Sequence, residues 1–253
     1  PVYRYYGDEM PLPAQEQQAI QDVLNRIRKN YPEYKDGVAT LENVLLVKTL
    51  EEDTDYNSKA LHFYKRCMQF TGPLMAKGFE DTLMYTYNRF IGHNDVGDSP
   101  EAFGITVEEF HRSMQERQQH WPLSLNATST HDTKRGEDAR ARLNVLTDNP
   151  TAWFAAVTEW IELNREIKTD NIPGVNEEYF IYQTLTGTYP MPGQSTDGYE
   201  ERLQEYIQKA FREAKVHTDW GAPDTDFENT VSGFISKLFD KRRRFLGKFE
   251  EYL

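Results

Sequence analysis

The sequence predicts a mainly α-helical chain: helical subdomains joined to a few strands that are part of an incomplete (β/α)8 barrel. Three observations predict it. Apolar residues recur at three and four positions through most of the chain, which is the period of an amphipathic helix. One stretch, Leu123 to Thr128, instead alternates Leu123, Leu125 and Ala127 with Ser124, Asn126 and Thr128, which is the period of a strand. That stretch runs straight into His131-Asp132-Thr133-Lys134-Arg135, and ionisable residues at the carboxyl end of a strand are where (β/α)8 enzymes carry their chemistry.

The elements follow in order. Pro11 and Pro13 precede a helix in which Ala19, Ile20, Val23, Leu24 and Ile27 form the apolar stripe. Thr40 is placed to cap a second helix through Leu50. Asn57 or Ser58 is placed to cap a third, ending at Thr71-Gly72-Pro73. Thr106 and Glu109 have the capping-box spacing for a helix to about His120. After the strand, helices are predicted near Glu137 to Leu146, Thr151 to Ile167, Glu177 to Thr186, Tyr199 to Ala214 and Phe227 to Arg244. A Gly- and Pro-rich loop lies between Gly187 and Gly198. Three regions result: 1–120, mostly helical with a short N-terminal barrel segment; 121–148, the barrel strand and its helix; and 149–253, helical.

Composition narrows the function. Hydrophobic residues are 38% of the chain and mean hydropathy is −0.77, so a thin core built from amphipathic elements is expected. A net charge of −12 repels phosphate backbones and anionic membranes, so neither nucleic acid nor membrane is an expected partner. The basic run Lys241 to Arg244 reads as the solvated face of a C-terminal helix. One cysteine, Cys67, allows no disulfide within the chain and fits a buried reduced thiol in the cytoplasm. No apolar stretch is long enough to span a bilayer. His62, His93, His111, His120 and His217 lack ligand spacing, so neither a metal nor another cofactor is expected.

Asp132 carries two readings. A carboxylate at a strand end can stabilise a cationic transition state or bind vicinal hydroxyls, with His131 donating to another hydroxyl. Equally, Asp132 or Thr133 can cap the helix that begins near Gly136. Tyr3, Tyr5 and Tyr6 are likewise either core material or a platform for a sugar's apolar face.

Four stretches carry a resemblance: P-V-Y-R-Y-Y at Pro1, T-G-P-L-M-A-K-G-F-E-D-T at Thr71, W-P-L-S-L-N-A-T-S-T-H-D-T-K-R-G-E-D-A-R-A-R at Trp121, and R-E-A-K-V-H-T-D-W at Arg212. In that order they resemble the maltooligosyl trehalose synthases of the α-amylase superfamily (glycoside hydrolase family 13). The resemblance implies that Asp132 is the transition-state-stabilising carboxylate and that His131 binds a hydroxyl beside the scissile bond. It places Lys134 and Arg135 at the same mouth and Arg4 after an earlier barrel strand, with Lys77, Glu80 and Asp81 near the pocket. The implied reaction converts the reducing-end α-1,4 bond of a maltooligosaccharide to an α,α-1,1 bond. The family's nucleophile and acid/base carboxylates lie in motifs before the His-Asp pair, and nothing between Pro1 and Ser129 resembles them. The expectation is therefore an internal fragment that works with the remainder of the same polypeptide and is inactive alone. The helices from Leu12 to His120 and those after Arg135 are expected to wall off the reducing-end side. An α-amylase-like hydrolase or transferase, and a helical interaction module without chemistry, are the other readings.

Overall fold

Most of the helices written into the sequence form, and the chain divides into two units, Pro1–Phe79 and Glu80–Leu253. The computed structural model describes residues 4–7, 12–46, 53–100 and 103–253. Tyr3, Pro11 and the 47–50 end of the second predicted helix lie outside the described residues.

In the first unit, α1 (Ala14–Asn30) is entered from Pro13 and buries Ile20 and Leu24. With α2 (Lys35–Leu45) and α3 (Thr54–Met75) it encloses a small core of Leu12, Ile20, Leu24, Val38, Tyr64 and Met68. Polar contacts knit the helices together. Tyr64 donates to Glu16 Oε2 at 2.6 Å, and Glu42 accepts from Gln21 at 2.8 Å while pairing with Arg28. Gly7 is needed here, since a Cβ would meet Leu12 Cδ2 at 2.7 Å and Tyr64 Cε1 at 2.8 Å. Cys67 is half-buried against this core, and burial pushes its thiol pKa up.

Three sequence expectations change in this unit. α2 starts at Lys35, and Thr40 sits inside it with its hydroxyl donating back to Asp36 O. Asp53, not Asn57 or Ser58, caps α3 by accepting from Tyr56 N at 2.9 Å. Finally, α3 does not stop at Pro73 but runs through it to Met75, followed by a π-helical stretch, Ala76–Leu83. Proline removes a donor and crowds the carbonyl four residues back, at Gln69, so the defect lies within α3 and the wider turns begin only after it.

In the second unit α8 (Val175–Thr188) is buried on nearly all sides, so it is not simply amphipathic: Glu178, Gln183, Thr184 and Thr186 are enclosed along with Phe180, Ile181, Tyr182 and Leu185. The thin core expected from composition is thicker here because aromatic rings fill it. Trp160 of α7 (Pro150–Asn164) is enclosed by Tyr182 at 5.4 Å, Phe249 at 5.5 Å and Phe245 at 5.8 Å between ring centroids, mostly edge to face. Buried polar groups beside this cluster meet one another. Glu178 pairs with Lys168 and accepts from Tyr182 at 2.6 Å, and Asn164 donates to that same hydroxyl at 2.8 Å. α6 (Glu137–Asp148) packs on α8, α11 (Arg244–Tyr252) on α7, and α10 (Thr225–Leu238) on α9 (Tyr199–Ala214).

The predicted helix from Phe227 to Arg244 is in fact α10 and α11, broken after Leu238. The basic run Lys241 to Arg244 lies at the turn between them, where Asp240 accepts from Arg242 through both carboxylate oxygens. The predicted strand is also absent. Among the described residues there is no β-ladder, only an isolated bridge from Thr169 to Ile172, and Leu123 to Thr128 is irregular, with Leu123 inside a turn in which Ser124 N–H is donated to Trp121 O. Leu123 and Leu125 are 94% and 102% exposed. Alternation gives a strand two faces but no neighbour, and without a neighbour its backbone forms no ladder. α5 (Val107–His120) does have the predicted capping box, with Thr106 and Glu109 each accepting the other's N–H, yet it buries no side chain. No described helix is long and apolar enough to cross a membrane.

The R-E-A-K-V-H-T-D-W stretch is a latch between α9 and α10. Glu228 accepts from Arg212 Nε at 2.7 Å and Nη2 at 2.6 Å, from Thr218 at 2.6 Å and from Gln208 at 2.8 Å. The Arg212 guanidinium also lies over the Trp220 ring at 5.1 Å. The Arg212 pair, aided by Thr218 and Gln208 and opposed by burial, lowers the Glu228 pKa to about 2. A depressed carboxylate pKa contributes stability that is whole above the unfolded value of 4.5 and lost as pH falls toward about 2. Urea denaturation of the chain between pH 6 and 2.5 is therefore expected to show a stability loss below about pH 4.5 that Glu228→Gln diminishes, the variant being less stable at pH 6.

Candidate functional site

The His131-Asp132 segment is held at both ends and left free at its tip. On the leading side Ser129 Oγ accepts the Glu137 N–H at 2.9 Å, Thr128 donates to Glu137 Oε2 at 2.7 Å, and Arg140 reaches the Thr128 carbonyl. These contacts tie the segment to the first turn of α6. Thr130 and Thr133 then close a turn, with the Thr130 N–H donated to Thr133 Oγ1 at 2.6 Å and the two hydroxyls 3.1 Å apart. His131 and Asp132 are the exposed tip of that turn. The Asp132 carboxylate makes no hydrogen bond or ion pair among the described residues; only its backbone N–H is engaged, by Thr130 Oγ1 at 3.3 Å. The capping alternative therefore does not apply, because α6 is capped by Gly136 without a side chain.

The trailing side of the turn goes inward. Lys134 has a buried side chain whose Nζ pairs with Asp81 Oδ1 at 2.5 Å and lies 5.5 Å from the Tyr85 ring centroid. Its backbone N–H is donated to Asp95 Oδ1 at 3.1 Å. Arg135 is 8% exposed; Nη1 donates to the carbonyls of Ile91 at 3.0 Å and Asn94 at 3.3 Å, and Nη2 to the Tyr206 hydroxyl at 3.1 Å. Lys134 and Arg135 also line a cavity of 540 Å³ between α6, α8 and α9, together with Thr188, Ser195, Tyr199 and Arg202. Burial pushes the Tyr199 hydroxyl up to about 12, partly offset by its contact with Thr188 and the charges of Arg142 and Arg202, so it is a neutral donor at ordinary pH.

The other candidates scatter. Glu80, in the π-helical stretch, is buried and accepts the Gly97 N–H at 3.3 Å. Lys77 is exposed on the same stretch but belongs to the first unit. Arg4, also in the first unit, is exposed and stacks over Tyr6 at 4.5 Å. Tyr5 packs on the small core, whereas Tyr6 is 70% exposed. No group of His, Cys, Asp and Glu able to hold a metal ion occurs among the described residues.

Sequence reasoning missed the loop from Asn88 to Gly97. Gln183 of α8 donates to Asn88 O at 2.8 Å and accepts the Ile91 N–H at 2.9 Å. Asn94 donates to the carbonyls of Met84 at 2.9 Å and Tyr87 at 2.6 Å. The loop thereby presents Asp95 and two carbonyls to Lys134 and Arg135. The available signal was its composition, since Asn94-Asp95-Val96-Gly97 is a turn sequence with Gly97 at φ 84°.

No family model matches the chain. Two Mycobacterium tuberculosis proteins, of strains CDC 1551 / Oshkosh and ATCC 25618 / H37Rv, are each named putative maltooligosyl trehalose synthase. Each is 37% identical over 175 residues, which is 69% of this chain and 22% of that relative. The chain thus spans under a quarter of the length of the curated relatives it matches. Among solved structures, the maltooligosyltrehalose synthase from Arthrobacter ramosus superposes with a TM-score of 0.78 at 28% identity, over 99% of this chain and 29% of its own. A Sulfolobus tokodaii structure described as a hypothetical maltooligosyl trehalose synthase gives a TM-score of 0.68 at 26% identity, over 99% and 39%.

Removing one partner of an enclosed ion pair strands the other charge. Lys134→Met is accordingly expected to lower stability in urea by about 3 kcal/mol. Adding Asp81→Asn should restore part of that loss, giving a non-zero coupling energy in the double-mutant cycle.

Proposed function

We infer that this chain is a segment of a maltooligosyl trehalose synthase, supplying the carboxylate that stabilises the transition state while the remainder of the polypeptide supplies the rest of the catalytic set. The observation that carries the inference is the Asp132 carboxylate: exposed, unpartnered, at the tip of a turn whose two ends are fixed. An exposed carboxylate is solvated by water and needs no partner within the protein. A group meant to meet developing positive charge on a sugar is left available and held in place.

The reaction is an intramolecular transglycosylation of a maltooligosaccharide. A retaining mechanism needs a nucleophilic carboxylate and an acid/base across the scissile bond, close to one another. The resemblance puts both outside this chain. The nucleophile displaces the terminal glucose and forms a glycosyl-enzyme. The acid/base protonates the leaving oxygen and later takes the proton from the anomeric hydroxyl of the reoriented glucose, which attacks to form the α,α-1,1 bond. Asp132 lowers the energy of the oxocarbenium-like state in both steps, and His131 holds a hydroxyl of the same sugar ring. Retaining the glucose beside the intermediate raises its effective concentration, and excluding water prevents hydrolysis.

Within that enzyme Leu123 to Thr128 is a barrel strand. The support is its alternation and the exposure of Leu123 and Leu125, which is what a strand shows when the sheet that covers it is not present. Within the second unit Lys134, Arg135 and Glu80 frame the substrate mouth, and α5 with the helices after Arg135 walls off the reducing-end side.

Two experiments test the reading on the complete synthase. Asp132→Asn is expected to lower turnover of maltopentaose by at least 10³-fold, roughly the scale of one lost transition-state contact, with an unchanged circular dichroism spectrum; near-parental turnover would contradict the assignment. Replacing α5, which buries no side chain, with a short linker is expected to raise free glucose relative to trehalose. An unchanged product ratio would remove α5 from the wall, and a synthase that yields only glucose before any change would favour an amylase-like hydrolase.

A further inference from the structure

We propose that Asp95 is a positioning residue for Asp132, acting through the Lys134 backbone. The inference rests on the reading of Asp132 given above.

An unpartnered carboxylate stays where its backbone puts it. On its leading side the Thr130–Thr133 turn is tied to α6, through Glu137 and Arg140, and further back Asn126 accepts from Arg117 of α5, so each of these anchors lies within a dozen residues of the segment it holds. The trailing side is tied to a separate element. Two residues after Asp132, the Lys134 N–H is donated to Asp95 Oδ1 at 3.1 Å, a side-chain bond across 39 residues of sequence. Asp95 can set a position because it is itself immobilised. It is 8% exposed, the adjacent Asn94 side chain is bonded to the carbonyls of Met84 and Tyr87, and Gly97 two residues later donates its N–H to buried Glu80. The loop is further pinned by Gln183 at Asn88 and Ile91.

The way Asp95 is used points the same way. Its Oδ1 serves the Lys134 N–H and its own neighbour Val96 N, whereas Oδ2 is buried with no hydrogen-bond partner among the described residues. Enclosing a carboxylate and leaving one oxygen unused is unfavourable for stability. The bond it does make restrains the residue two positions from the tip of the turn, and a displacement of about 1 Å at a reacting group costs on the order of 10²-fold in rate.

The test uses the complete synthase with maltopentaose. Asp95→Ala is expected to lower kcat by about 10- to 100-fold while KM changes by less than about twofold, since binding of the glucan is not what Asp95 supports. Asp95→Asn keeps an acceptor for the Lys134 N–H and should restore kcat to within about threefold of the parent, which a role resting on charge would not allow. Parental kcat in Asp95→Ala, a loss confined to KM, or Asp95→Asn as slow as Asp95→Ala would each overturn the proposal. Asp132→Asn is measured alongside. If it is inactive while Asp95→Ala is parental, only the positioning role fails; if Asp132→Asn is itself parental, the assignment of Asp132 fails. Should Asp95→Ala not fold, amide hydrogen exchange of the parent decides. The Lys134 amide is expected to be protected at least tenfold relative to that of His131, and equal exchange would overturn the proposal.

Discussion

A guanidinium that leaves water must find oxygen, and at Arg135 the oxygen it finds is mostly backbone. The carbonyls of Ile91 and Asn94 accept from it, Tyr206 accepts a third bond, and the Phe180 ring lies 5.7 Å from its carbon. This one burial joins three parts of the second unit. The loop that offers the carbonyls, the α8 core that offers the ring and α9 that offers the phenol must all be in place before the charge is satisfied. The His131-Asp132 turn is the segment immediately before that anchor, so the geometry of the candidate site is a consequence of how the chain solves a solvation problem.

The same logic runs through α8. A helix enclosed on almost every side cannot be wholly apolar here, because Glu178 and Gln183 provide bonds that no aliphatic side chain could. Gln183 supplies both a donor and an acceptor to the Asn88–Ile91 backbone, which has no ladder or helix of its own to satisfy it. Glu178, Tyr182, Asn164 and Lys168 form a chain beside the Trp160 aromatic cluster. Apolar packing gives this unit its bulk, and these polar contacts specify which loop conformation the bulk supports.

Function then divides by exposure. Lys134 and Arg135 look from sequence like a basic pair facing substrate, yet their charged groups are enclosed and bonded within the protein. Asp132, which local statistics would assign to a helix cap, is the group left free. A similar inversion holds for the stretch from Arg212 to Trp220: part of the same resemblance, it serves as a latch around Glu228 rather than as a site.

Short-range rules were legible in the sequence because their causes are local. The capping box at Thr106 and Glu109, the helix from Tyr199 to Ala214 and the apolar stripe of α1 each depend on residues within a turn or two of one another, and each is found where the pattern puts it. What failed depended on partners far along the chain or on a local accommodation that periodicity does not show. A strand needs a neighbour, which Leu123 to Thr128 lacks. The third helix runs through Pro73 to Met75 although proline disfavours a helix interior. The C-terminal helix breaks where Asp240 gathers arginines. Residue types and period thus determined by themselves most of the helical segments. Only the tertiary structure decided which charges are enclosed and which stay free, because a charge's surroundings are set by Asp95, Ile91 and Asp81, some 40 to 50 residues away from Lys134 and Arg135.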